Sequence, residues 1–237
     1  TLASLAAQAL PSGVTMRVVV ADNDENDARR GEIEQWFKEL RLDGTYAHAP
    51  KRNISIARNA CLDHVNSRWA AFIDDDEIAP PDWVAKLLAA REGVECVFGV
   101  SRANYDGSGA PKWMIQGDFH SNFIRARDGA SNGYTCNTLF DADFVRQHGL
   151  RFREDLGQIG GEDTMFFRAM EKSGGRFRFS PDAIVHEDVP ARRATLRWLR
   201  DRQFRSGQNH CEVLLEQGKK SPGILVVALA KAGVFSV

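Results

Sequence analysis

The chain has 237 residues, 43% hydrophobic and 27% charged, with a formal net charge of −1. That profile suits a single α/β domain with a sizeable core and removes the electrostatic case for general nucleic-acid binding. The four cysteines, Cys61, Cys96, Cys136 and Cys211, are far apart with no Cys-x-x-Cys pair, which argues against a zinc centre or disulfide framework and makes a reducing cytoplasm the expected setting.

Leu2 to Leu10 has helical composition, and Pro11-Ser-Gly13 ends it. Met16 to Ala21 is an apolar run that predicts a buried strand. Sheets of this class normally have a strand ahead of such a helix, so the chain is expected to begin one strand into its fold. Asp22-Asn-Asp-Glu-Asn-Asp27 then sets acids at the strand's C-terminal edge. A single Asp there can accept a nucleobase N–H, or it can cap the following helix. That helix is expected over Ala28 to Leu40, with Ile33, Trp36, Phe37 and Leu40 on one face, and Tyr46 to Ala49 is a brief strand. Asn53 to Val65 predicts another helix with Ile54, Ala57, Cys61 and Leu62 facing inward. Arg58 is then left near the sheet edge, as a base or phosphate contact or as a surface ion pair.

Trp69-Ala-Ala-Phe-Ile73 predicts a buried parallel strand that runs straight into Asp74, Asp75, Asp76 and Glu77. Pro80 and Pro81 lead into a helix over Asp82 to Arg91. The carboxylates therefore stand at a strand's C-terminal end, where open α/β sheets bind ligands. Four adjacent carboxylates repel one another, with nothing basic close in sequence. A hard divalent cation, Mg²⁺ or Mn²⁺, shared with a phosphorylated substrate is the simplest compensation; a solvated acidic turn is the alternative.

Val94 to Val100 predicts a strand, and Ser101 to Asp118 a loop long enough to be a lid, in which Trp113 can stack on a sugar or tether the core. Phe119 to Arg125 and Tyr134 to Phe140 are expected strands, and Asp141 to His148 a short helix. In Gly160 to Lys172, Met165, Phe166, Ala169 and Met170 form a core stripe. Glu162 and Asp163 thus fall at a helix N-terminus, where the dipole favours ionised carboxylates. An Asp there can act as general base on a hydroxyl, or simply cap the helix. Ala183 to Asp188 is a strand carrying His186 near its end, as a third metal ligand or a structural side chain. Ala191 to Gly207 is a basic helix, with Arg192, Arg193, Arg197, Arg200, Arg202 and Arg205 against Asp201 alone. It can pair with a diphosphate, an anionic membrane or solvent. Pro222 to Val237 is apolar, follows Lys219-Lys220, and is shorter than the ~20 residues of a spanning helix; it is expected to be interfacial, packed on a partner, or part of a longer span.

Taken in order, Val18-Val-Val-Ala-Asp-Asn23, Ala57-Arg-Asn59, Phe72-Ile-Asp-Asp-Asp76, Gly161-Glu-Asp163 and Val185-His186 resemble the family 2 glycosyltransferases of the GT-A fold, and Ser4-Leu-Ala-Ala-Gln8 resembles the pattern of that family's first helix. The resemblance runs to residue 210. It implies an α/β fold with a mainly parallel central sheet flanked by helices. Residues 1–210 would form the GT-A domain, with a nucleotide-binding part over 1–100 and an acceptor-binding part over 101–210, and 211–237 a helical, apolar extension. It also implies that a sugar passes with inversion from a nucleotide-sugar, with UDP the expected carrier, to an acceptor hydroxyl, assisted by Mg²⁺ or Mn²⁺.

Carried over by position, Asp22 binds the base and Arg58 supports the nucleotide. Asp74 and Asp76 are the outer acids of the Asp-x-Asp motif, with Asp76 on the metal and Asp75 near ribose or donor sugar. Asp163 is the general base, Glu162 shapes the acceptor site, and His186 matches a metal ligand found in some members. A nucleotidyltransferase is a rival reading, but it leaves Glu162-Asp163 without a purpose and needs a Gly-rich basic phosphate loop that the sequence lacks. The non-enzymatic rival is an inactive nucleotide-sugar-binding module. The basic helix and apolar end suit a glycan or lipid-linked acceptor and peripheral contact with the inner face of the cell membrane.

Overall fold

The structure is a computed structural model that describes residues 1–122 and 133–216. In chain order it contains α1 (Leu2–Ala6), β1 (Val18–Asp22), α2 (Arg30–Glu39), β2 (Gly44–His48), α3 (Ile54–Asp63), β3 (Trp69–Ile73), β4 (Glu77–Ile78), α4 (Trp83–Ala89), β5 (Cys96–Asn104), α5 (Lys112–Gly117), β6 (Asn137–Asp141), α6 (Ala142–Gln147), α7 (Glu162–Lys172), β7 (Phe177–Asp188) and α8 (Leu196–Glu216).

β1 and β2 form a parallel pair, and the other strands form a sheet of order β3-β6-β5-β7-β4. The expectation of parallel pairing is met by β1–β2 and β5–β7, whereas β3–β6, β5–β6 and β4–β7 run antiparallel. Trp69–Ile73 is accordingly not a parallel strand, and its residues are half-buried with Ala71 exposed. Alternation along the strands separates two cores. Val97, Leu139 and Val185 face a cluster with Val18, Phe37 and Leu87, while Cys96, Phe98 and Phe140 face one built on Phe152, Phe166, Phe167 and Met170. β1 thus shares a core with the larger sheet although, among the described residues, no strand pairing joins the two.

The backbone irregularity between Phe98 and Val100 falls at Gly99, where a Cβ would stand 2.3 Å from the Ala183 carbonyl oxygen. Asn137 closes the gap: its Nδ2 donates to the carbonyls of Val100 and Ala183, each at 2.9 Å, and its Oδ1 accepts from Trp83 Nε1 at 2.8 Å. A buried amide with such partners rigidifies the sheet rather than weakening it.

Several expected boundaries move. The first helix stops at Ala6, and the stretch expected to be loop contains the end of β5 and the whole of α5. The basic helix starts at Leu196, after a turn following Pro190. Of the strand expected over Phe119 to Arg125, the described part holds a single bridge, Ser101 to Asn122, and the rest lies outside the described residues, as does the apolar sequence from Pro222. α3 also turns a different face inward: Ser55, Arg58, Asn59 and Leu62 are buried and Ile54 is exposed. Among the described residues no helix is long and apolar enough to cross a membrane.

Candidate active site

The acids after β3 form a closed turn. Glu77 N donates to the Asp74 carbonyl at 3.2 Å, and Asp74 N donates to Glu77 Oε2 at 3.1 Å. Thr1 Oγ1 lies 2.6 Å from the carbonyl oxygens of both Asp75 and Glu77. This fixes the backbone and leaves the side chains of Asp75 and Asp76 in solvent. Asp74 is half-buried, and its carboxyl is pushed up by desolvation and by Asp163, Asp76 and Asp75, against the pull of Arg58. Its side chain retains 44% exposure, so water screens much of that effect.

Arg58 is the hub. Asn53 caps α3 by accepting from Ile56 N at 3.2 Å, which presents Arg58 one turn later to the start of α7. Arg58 Nη1 reaches Glu162 Oε1 at 2.7 Å and Asp163 Oδ1 at 2.6 Å, and Nη2 lies 4.0 Å from Asp74 Oδ1. Asn59, its neighbour, exchanges two 2.9 Å hydrogen bonds with the backbone of Phe152. Thr135 completes the shell around Asp163, donating from its backbone N at 3.2 Å and its hydroxyl at 3.1 Å. Burial raises the Asp163 carboxyl above the ordinary carboxylate range, with Arg58 and Thr135 opposing. The Thr135 hydroxyl lies 3.1 Å from both Oδ1 and Oδ2 with one proton to donate, so of the carboxylate's roughly four lone-pair sites one stays open to a further donor.

Asp74 and Asp76 also line a cleft of about 360 Å³ whose other walls include Glu187, Arg193, Trp198 and Arg202. There Arg193 acts as the local cation: it pairs with Glu187 and lies 3.5 Å from Asp76, and its carbonyl accepts from His120 Nε2 at 3.0 Å. A larger hollow of about 510 Å³ lies at the opposite end of the sheet, between Arg68, Glu95, Asp141 and Arg176. Arg68 and Arg176 there are committed to Asp141 and Glu95, and the hollow touches none of the predicted site residues.

A model of "Glycosyl transferase family 2" matches residues 1–149. The succinoglycan biosynthesis protein ExoM of Rhizobium meliloti (strain 1021) is 46% identical over 98% of this chain and 77% of its own length. The chain belongs to glycosyl transferase family 2. Solved structures add the fold. S. aureus TarS matches with a TM-score of 0.57 at 18% identity, over 79% of this chain and 33% of TarS. TarS 1-349 in complex with UDP-GlcNAc matches with 0.57 over 53% of its length at 17% identity, and GalNAc-T7 with UDP, GalNAc and Mn²⁺ with 0.53 at 13% identity, over 73% of this chain and 38% of its own. The chain therefore spans well under two thirds of these structures.

As a glycosyltransferase of this family with the GT-A fold, the chain brings together Arg58, Asp74, Glu162 and Asp163, and it sets Asp76 in the adjoining cleft. Asp22 stands apart at the end of β1, accepting from Tyr46 Oη at 2.7 Å and from Asp24 N at 3.0 Å. The expectation for His186 changes. Successive strand residues face opposite ways, and in β7 it is Glu187, not His186, that enters the cleft beside Asp76. Among the described residues no three His, Cys, Asp or Glu side chains are grouped as a ready metal site. Two carboxylates bracketing a cationic head nevertheless suit a hard cation that takes its remaining ligands from water and phosphate. Neither Thr135 nor Glu187 belongs to a recognisable motif; Glu187 could have been found by weighing both residues at the strand's end.

Glu77 has a measurable signature. Its side chain is 1% exposed, and desolvation first, with Asp74 and Glu187 adding, pushes its carboxyl to about 8. At low pH the group is protonated in folded and unfolded chains alike. As pH rises towards 8 only the unfolded chain ionises freely, so stability falls across that window and levels off above it. Thermal unfolding in chelator should show this loss, bounded by roughly 5 kcal/mol, and Glu77→Gln should flatten it; an identical slope in the variant would assign the loss to other groups.

Proposed function

We propose that this family 2 glycosyltransferase moves a sugar from a UDP-sugar to a hydroxyl of a glycan or lipid-linked acceptor during exopolysaccharide assembly, inverting the anomeric centre with Asp163 as general base. The observation that carries this reading is the single guanidinium of Arg58, which holds the α7 acids at 2.6 and 2.7 Å and reaches Asp74 at 4.0 Å. The base and the donor-side acids are thereby held in a fixed relation. The name of the ExoM relative and the nucleotide complexes of the solved structures support the substrate class.

The chain's own residues divide the work. Asp163 Oδ2 accepts the proton as the acceptor oxygen bonds to the anomeric carbon, and Thr135 keeps that carboxylate oriented. The bond from the anomeric carbon to the diphosphate oxygen breaks on the opposite face, through an oxocarbenium-like state, and its electron pair leaves with UDP. Arg193, Arg202 and Arg205 line the cleft, where their charge favours the departing diphosphate. Asp76 with Glu187 would hold a Mg²⁺ or Mn²⁺, which supplies further neutralisation of the leaving group. Asp22, at the rim of β1, would receive the uracil, and Asp75, exposed on the turn, the ribose or donor sugar.

The direct test is a screen of nucleotide-sugars for product. Released UDP supports the proposal; released pyrophosphate would mean nucleotidyl transfer, and UDP binding without turnover would mean an inactive binding module. Asp76→Ala is expected to weaken Mn²⁺-dependent UDP binding by about tenfold or more while leaving metal-free binding unchanged, read by calorimetry with and without chelator. Equal Mn²⁺ enhancement in the variant would remove Asp76 from the metal site.

A further inference from the structure

We propose that the outward face of α8 docks on an anionic lipid bilayer. The proposal draws its purpose from the glycosyltransferase reading above, but its chemistry stands on the helix alone.

α8 has two unlike faces. Inward, Leu199 is buried with Met114, Val189 and Ala194, Trp198 stacks on His120 at 4.9 Å, and Arg202 donates to Asn122 Oδ1 at 2.8 Å. At 3.6 residues per turn the opposite side carries Leu196, Arg197, Arg200 and Phe204. Leu196 and Phe204 are 69% and 68% exposed, more than any other large hydrophobic side chain among the described residues. Arg197 and Arg200 lie between them along the helix, both exposed and sharing one acid, Asp201. Single exposed hydrophobics are ordinary. Two on one helical face, interleaved with arginines, form the pattern of a helix lying in a membrane interface, its apolar side chains dipping below the headgroups and its arginines on lipid phosphate.

The rest of the same small core agrees. α5, whose Met114 packs against Leu199, exposes Trp113, which meets the exposed ring of Phe119, two residues beyond the helix, edge to face at 5.9 Å. Aromatic side chains favour the level of lipid headgroups. A nucleic-acid backbone or an acidic protein would answer the arginines but leave Leu196 and Phe204 without a role. A zwitterionic or neutral surface would answer the apolar pair but not the arginines. An anionic bilayer satisfies both.

The test is cosedimentation of the 237-residue chain with sucrose-loaded vesicles of phosphatidylcholine mixed with phosphatidylglycerol. The chain should sediment with these vesicles, and the bound fraction should fall steeply as salt is raised. Arg197→Glu with Arg200→Glu is expected to reduce partitioning by about tenfold or more; Leu196→Ser with Phe204→Ser should do so through the apolar term. UDP binding, measured by calorimetry, should stay unchanged in both variants, which shows that each remains folded. The proposal is overturned if the wild type does not sediment, if it sediments equally with phosphatidylcholine alone, or if either double variant behaves as wild type. Failure of the glycosyltransferase reading looks different: vesicle binding intact and no UDP released from any nucleotide-sugar.

Discussion

Asp163→Asn is expected to lower kcat by about 10³-fold while leaving UDP affinity unchanged. The substitution keeps the size of the side chain, and an amide oxygen in the Oδ1 place can still accept from Arg58 and the Thr135 hydroxyl, so the start of α7 should hold its place although the acceptor for Thr135 N is lost. What is lost is the capacity to take a proton from the acceptor hydroxyl. In the wild type, the base must be ionised to act, so kcat/KM should rise with pH on an acid limb set above the usual carboxylate range, because burial raises the Asp163 carboxyl. That limb should vanish from whatever rate the variant retains. Single-turnover measurements with a UDP-sugar donor across pH decide the matter; a variant with wild-type turnover would place the base elsewhere.

The second large effect is on stability. Arg58→Met should destabilise the fold by about 3–5 kcal/mol near neutral pH, the usual result of leaving buried charges without their partner. The guanidinium is nine-tenths buried, and three carboxylates approach it. Without it, burial of Asp163 goes unopposed by the guanidinium, and its folded carboxyl rises further above the unfolded value. Such a group costs stability as pH climbs, and the deficit should therefore shrink on acidification. Urea unfolding of both proteins at two pH values measures this. A deficit independent of pH would mean that lost packing against Phe152, whose ring lies 5.6 Å from the guanidinium carbon, outweighs the charge.

The legible parts of the chain were those in which local chemistry and three-dimensional role coincide. Asp74, Asp75 and Asp76 follow an apolar run, and the structure closes them into a turn at the end of β3. Glu162 and Asp163 precede a stripe of large apolar residues, and they occupy the first turn of α7. α3 departs from its expected facing for a physical reason. Apolar periodicity assumes that the buried face is the greasy one, yet this helix buries Ser55, Arg58 and Asn59, and the partners of Arg58 and Asn59 lie roughly a hundred residues away in sequence. No local pattern encodes such pairing. At the end of β7 the strand itself was evident and its facing was not, and a shift of one residue exchanges His186 for Glu187. β4 holds only two residues, too few for any periodicity to register.

α8 walls the cleft with Trp198, Arg202 and Arg205, and its reverse side carries Leu196 and Phe204. A helix with its side chains is about 10–12 Å across. Whatever the reverse side rests upon is therefore only that far from the opening proposed to take the donor. A sugar presented at that height could be reached without leaving its anchor, and one held much higher or lower could not, so the girth of one helix would act as a ruler for the acceptor.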